Sequence, residues 1–221
     1  MQEYVMGNGA IALGALAAGV NLVAGYPGTP SSEILETISK YRHDGVYIEW
    51  SVNEKAAMEV AAAAAYSGAR AMVTMKQVGL NVAADPLMSL AYVGVKGGMV
   101  IVSADDPGPI SSQTEQDTRR FADFCRIPVF DPSSPEEAYK MIGDAFEYSE
   151  KYNTPVLFRP TTRVCHAYAS IDNCDCPSPK KYEGFVKDSK KWVIFPRLSF
   201  ANHIMIEKRN VEIGKDFSTY S

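Results

Sequence analysis

Between Asn21 and Phe158 the apolar positions of this chain follow two alternating rhythms. Short blocks rich in β-branched and aromatic residues suit strands, and the longer stretches between them suit helices. That alternation predicts a three-layer α/β/α domain with a mostly parallel sheet. The stretch Val46 to Gly79 shows the pattern most clearly. Val46, Tyr47, Ile48 and Trp50 read as a strand, and Asn53 is a residue type that caps helices. Glu54 then falls in the first helical turn, where the macrodipole favours negative charge. From Ala56 the helix is nearly all small, with Ala61 to Ala65 an unbroken run. Such a helix is not amphipathic and is predicted to be buried, its small residues letting neighbouring backbones approach. Gly68 ends it, and Arg70 to Met75 forms the next strand.

The other units follow in order. Gly7-Asn8-Gly9-Ala10 opens a first helix that Gly19 stops. Gly7, Gly9 and Ala12 also fit one variant of the dinucleotide fingerprint. That fingerprint needs a full strand before it, and six residues precede Gly7, so a permissive helix N-terminus is the better reading. A strand over Asn21 to Gly25 runs into Tyr26-Pro27-Gly28-Thr29-Pro30-Ser31-Ser32-Glu33, a rigid turn that leads into a helix. Lys76 and Gln77 close the strand that starts at Arg70, and a helix is expected over Pro86 to Val93. Gly97 to Ser103 is apolar enough for a central parallel strand. The loop after it carries Asp105 and Asp106 without the oxygen-rich spacing of a divalent-ion site, and reads as hydrogen-bonded. Ile127 to Phe130, Pro135 to Tyr152 and Pro155 to Phe158 give a further strand, helix and strand. Beyond about Cys165 the pattern fades. Residues 173–181 read as a linker, Trp192 to Pro196 as a short apolar peg or strand, and 207–221 as polar with no cap to close it. The expected division is a domain over 1–165 and a linker or tail over 166–221.

Composition narrows the function. Lys plus Arg is 22 against 26 Asp plus Glu, a net charge of −4, which gives no support to nucleic-acid binding. The first residues lack the pattern of a signal peptide, and the alanine-rich stretch is interrupted by charge too soon to span a bilayer. A cytoplasmic protein without membrane contact is expected. Cys174-Asp175-Cys176 has no second pair to complete a zinc site, and iron–sulfur spacing is absent, so no metal ligands are assigned.

Several motifs together carry a resemblance. GNGAIALGALAAGV, YPGTPSSE, VNEKAAME and MKQVGLNVAAD closely resemble the alpha subunit of indolepyruvate:ferredoxin oxidoreductases. More distantly they resemble other 2-oxo acid:ferredoxin oxidoreductases of the thiamine diphosphate superfamily. SADDPGP, SSQTEQD and the stretch from Arg159 to Val164 continue the match, with Ile110 standing where His is common in the family. The resemblance implies the pyrimidine-binding domain. Glu54 would contact the aminopyrimidine ring as the catalytic carboxyl. Thr29, with Gly28, would lie at the thiazolium end of the cofactor or the 2-oxo acid, and Gln77 beside it. Lys76 and Gln113 would face substrate, whereas Glu59, further along the helix, packs or pairs. The implied reaction is oxidative decarboxylation of indolepyruvate or another arylpyruvate, with CoA and oxidised ferredoxin, to an arylacetyl-CoA. Magnesium and the diphosphate would be held by a diphosphate-binding domain or chain not present here, and 4Fe-4S clusters by further absent regions. A smaller second subunit and a homo-oligomer are implied, with this domain inert alone. Rival readings are a related pyruvate, branched-chain or 2-oxoglutarate oxidoreductase or decarboxylase, and a non-catalytic scaffold subunit.

Overall fold

The computed structural model describes residues 2–42, 44–172 and 177–220, so the Cys174 and Cys176 thiols lie outside the described residues. The chain starts with β1 (Gln2–Met6) and α1 (Gly7–Ala17). It then alternates through β2 (Leu22–Gly25), α2 (Ser32–Tyr41), β3 (Tyr47–Trp50), α3 (Glu54–Tyr66) and β4 (Ala71–Lys76). Two helices, α4 (Gln77–Val82) and α5 (Ala84–Val93), lead to β5 (Met99–Ala104). After α6 (Arg119–Cys125) come β6 (Val129–Phe130), α7 (Pro135–Tyr152) and β7 (Val156–Phe158). Strands β2 to β7 form one parallel sheet of six in the order β3-β2-β4-β5-β7-β6. The three-layer α/β/α architecture expected from the alternation is the one observed.

Side chains on successive strand residues point to opposite faces, and the two cores follow that period of two. Met72, Val100, Val102, Val156 and Phe158 pack under α1, α2 and α7. Val73, Met75, Met99, Ile101 and Leu157 pack under α3, α5 and α6. Helix α1 is buried from Gly7 to Leu16, and its glycines allow that. A Cβ at Gly14 would stand 2.4 Å from the Tyr139 carbonyl oxygen of α7. Helix α3 differs from its expectation. Ala57, Met58, Ala61, Ala62 and Ala65 are buried, while Glu59 and Ala63 are exposed. An alanine helix carries no strong facial preference, so one side can stay uncovered.

Strand β1 pairs antiparallel with β8 (Tyr168–Asp172), which follows the short helix α8 (Thr162–His166), and this ribbon is separate from the main sheet. Gly7 therefore follows no strand of the main sheet, and the dinucleotide geometry is missing. The segment expected as an apolar peg is instead the break between α9 (Ser189–Trp192) and α10 (Pro196–Phe217). Helix α10 buries Asn202, Ile206 and Ile213. Asn202 Nδ2 donates to the Tyr92 carbonyl at 2.9 Å, and Phe217 and Tyr220 meet the Phe130 ring edge-on at 5.4 and 5.5 Å.

One largely buried ion pair ties the layers together. Arg70, ahead of β4, donates from Nε and Nη2 to the two Glu150 oxygens of α7 at 2.9 and 2.8 Å, and from Nη1 to the Ala18 carbonyl at 2.7 Å. Lys180 Nζ also reaches Glu150, at 2.7 Å. Burial pushes the Glu150 carboxyl up, but the hydrogen bonds from Arg70 and Lys180 outweigh it and hold the group at about 2. A depressed carboxyl stabilises the fold above its unfolded value and loses that contribution as pH falls toward the folded one. Glu150→Gln is expected to cost about 2 kcal/mol at pH 7. Its gap from the wild type should narrow between pH 5 and pH 3 in thermal unfolding, and a gap that stays constant would contradict the assignment.

Candidate functional site

In a parallel sheet the carboxyl ends of all strands lie on one edge, and ligands bind where the strand order reverses. Here the chain goes outward from β2 to β3 and returns to β4 on the other side of β2, so the reversal falls between β2 and β4. Gly28 and Thr29 follow β2, Glu54 follows β3, and Lys76 and Gln77 end β4 and begin α4. Gln113 lies in the loop after β5. The topology thus brings six sequence-predicted residues to one edge.

Their local settings differ. Asn53 caps α3, its side chain accepting the Ala56 N–H at 2.9 Å, and this sets Glu54 as the first helical residue. Glu54 is only 7% exposed and has no hydrogen-bond or ion-pair partner among the described residues. Its carboxyl lies against Gly79 of α4, where an added Cβ would come within 2.6 Å of Oε1. Gln77 is fully buried. Its Nε2 donates to the Thr114 carbonyl at 3.1 Å, and its Oε1 is buried without a partner. The half-buried Lys76 lays its stem on Gly28, whose added Cβ would be 3.1 Å from Cγ and Cδ. Thr29 and Gln113 are exposed, and Glu59 faces outward on α3, away from this group.

Two buried carboxylates hold the loop after β5 through hydrogen bonds. Asp105 accepts from the Thr118 N–H and hydroxyl at 3.0 and 2.7 Å and from Arg159 Nε at 2.7 Å. Asp106 Oδ2 accepts the backbone N–H groups of Ile110, Ser111 and Ser112 at 3.0, 2.9 and 2.9 Å. Its Oδ1 accepts the Thr162 hydroxyl at 2.8 Å. Burial raises the Asp106 carboxyl, yet these donors hold it well below the usual carboxylate range. The same loop presents Gln113 and offers Gln77 the Thr114 carbonyl.

One contributor was not foreseen. Asn8, within α1, is fully buried and donates from Nδ2 to the Pro30 carbonyl at 2.7 Å and to Glu33 Oε2 at 2.9 Å. It pins the turn that carries Thr29. Gly7 beside it leaves room for α8, since an added Cβ would stand 1.8 Å from the Val164 carbonyl oxygen. The Gly-Asn-Gly sequence is the available signal, but its partner is 22 residues away.

Residues 13–192 match the family described as pyruvate flavodoxin/ferredoxin oxidoreductase, thiamine diphosphate-binding. The chain is 43% identical to indolepyruvate oxidoreductase subunit IorA of Pyrococcus horikoshii, over 97% of this chain and 34% of that one. It is 46% identical to the IorA subunit of Thermococcus kodakarensis, again over 97% and 34%. It thus spans about a third of the length of these relatives. Among solved structures, a 2-oxoglutarate:ferredoxin oxidoreductase from Magnetococcus marinus, with 2-oxoglutarate, coenzyme A and succinyl-CoA bound, superposes with a TM-score of 0.77 at 15% identity. The match covers all of this chain and 46% of that one, and shows a shared fold.

Removing the Asp106 anchor should free the loop. In Asp106→Ala the amide hydrogens of Ile110, Ser111 and Ser112 are expected to exchange about tenfold faster or more, since hydrogen bonds to a charged acceptor are worth roughly 1.5–3 kcal/mol. Unchanged protection in hydrogen exchange would show that another acceptor holds them.

Proposed function

This chain belongs to the thiamine diphosphate-binding family of pyruvate flavodoxin/ferredoxin oxidoreductases, and we propose that it supplies the pyrimidine side of the cofactor site in an indolepyruvate-type enzyme. The observation that carries the reading is Glu54. The residue is only 7% exposed and makes no hydrogen bond or ion pair among the described residues, so its carboxyl is free to meet a ligand. Its surroundings fit an aminopyrimidine ring. Glu54 offers a carboxyl to a ring nitrogen, Gln77 Oε1 offers an unpaired acceptor to an amino group, and Gly79, lacking a side chain, lets the Glu54 carboxyl pack against α4.

Thiamine diphosphate, when bound, supplies the electron sink for decarboxylating a 2-oxo acid. This chain's residues position and protonate. Glu54 holds or moves a proton at the ring nitrogen. Gly28 and Thr29, on the turn pinned by Asn8, take the thiazolium end or the 2-oxo acid. Lys76, with no ion-pair partner among the described residues, meets the substrate carboxylate, and Gln113 faces substrate from the loop.

The remaining functions fall to other parts of the protein. Magnesium and the diphosphate are held by a diphosphate-binding domain or chain beyond the present residues, and 4Fe-4S clusters carry electrons to ferredoxin. A smaller second subunit completes the enzyme, which works as an oligomer in the cytoplasm. An arylpyruvate and CoA are the substrates, and the present domain is inert by itself. The IorA names of relatives at 43% and 46% identity support indolepyruvate over other 2-oxo acids.

In the full assembly, Glu54→Gln is expected to lower turnover about 100-fold or more, the scale of lost acid–base help. Activity within twofold of the wild type would reject the role. Gly79→Ala acts on the same carboxyl from outside. The added methyl displaces the flexible end of Glu54, so turnover should fall while the unfolding temperature stays within a few degrees. Retained turnover would show that the carboxyl's position is immaterial.

A further inference from the structure

At the opposite, amino edge of the sheet lies a cleft of about 490 Å³, within the roughly 300–1,000 Å³ typical of small-molecule sites. Its walls come from the turn between α5 and β5, the end of α7, α9 and α10. Arg209 of α10 lines it with Nε and Nη2 fully buried and without any hydrogen-bond partner. Guanidinium N–H groups left so are costly, and nothing in the fold of the described residues accepts from them.

The charge around Arg209 is one-sided. Lys151, Lys190, Lys191 and Arg209 line the cleft against the single carboxylate of Glu212. Glu212 is paired with Lys215 at 2.8 Å, and Lys151 is paired with Asp216. Lys190 has no ion-pair partner among the described residues, and the Lys191 ammonium donates only to the Val95 carbonyl, at 3.2 Å. Three cations therefore share the cleft without a counter-charge, more than one carboxylate would balance. Burial also lowers the affinity of Arg209 and Lys191 for their protons, with Lys96 adding to the effect on Lys191. Tyr92, Tyr152 and Met205 supply an apolar wall beside these cations.

We propose that this cleft binds a small molecule carrying a phosphate group on an apolar or ring-bearing body, with Arg209 as its anchor. A phosphate dianion matches the planar donor fork of a guanidinium and would give the two unpartnered N–H groups an acceptor once the Arg209 side chain turns into the cleft. The lysines add charge from the rim, and the tyrosines and methionine cover the body of the ligand.

The test is calorimetry on the full chain with phenyl phosphate and with inorganic phosphate, at ionic strength matched by chloride. Saturable binding is expected for both, tighter for phenyl phosphate, and weakened at least tenfold by Arg209→Met and several-fold by the exposed Lys190→Gln. Arg209→Met should also raise the unfolding temperature of the ligand-free protein, because it removes the unpaired buried donors. Lack of saturable heat at millimolar ligand, or heat that chloride reproduces, would overturn the proposal. So would affinities unaltered in both variants, which would mean that an adventitious ion or a docked protein segment accounts for the cleft.

Discussion

The placing of a largely buried, unpaired carboxyl at the start of α3 is the constraint around which the sheet's carboxyl edge is arranged. The neighbouring residues position it without pairing with it. Asn53 Oδ1 accepts the first-turn N–H of Ala56, so Glu54 is not drawn into capping the helix. Gly79 brings α4 against the carboxyl without contributing a polar group. The two cores on either face of the sheet hold these helix starts rigid, because closely packed interiors transmit displacement instead of absorbing it.

The carboxylates after β5 show the opposite solution to the same problem. Asp105 and Asp106 are also fully buried, but every oxygen has donors, and they act as structural anchors. The contrast is between these saturated carboxylates, which hold the fold, and Glu54, which has no hydrogen-bond or ion-pair partner among the described residues. Burial alone would not have distinguished them.

Local signals made some of this readable from the chain. Helix α7 occupies the residues expected of it, and the structure shows local causes: Ser134 accepts the Glu137 N–H, Pro135 starts the helix and Asn153 ends it in a left-handed conformation. The strand ends that carry Gly28, Glu54 and Gln77 were equally clear, since each sits between an apolar block and a helix start. Features that depend on distant partners were not. Strand β1 exists only through pairing with β8, Gln2 opposite Asp172. Helix α10 has three buried positions along its length, too few to mark an apolar stripe. The vacant acceptor of Gln77 and the orphaned donors of Arg209 are properties of packing, which no residue pattern announces.

The hydrogen bonds of Asn8 carry a mechanical consequence. One end of that side chain belongs to a helix locked against α7 by close backbone approach at Gly14, and the other grips the carbonyl of Pro30. Helix α1 and the turn bearing Thr29 thus move as one piece. A push on the α1–α7 seam, far from the sheet's carboxyl edge, would be felt at Thr29 as translation along a rigid lever.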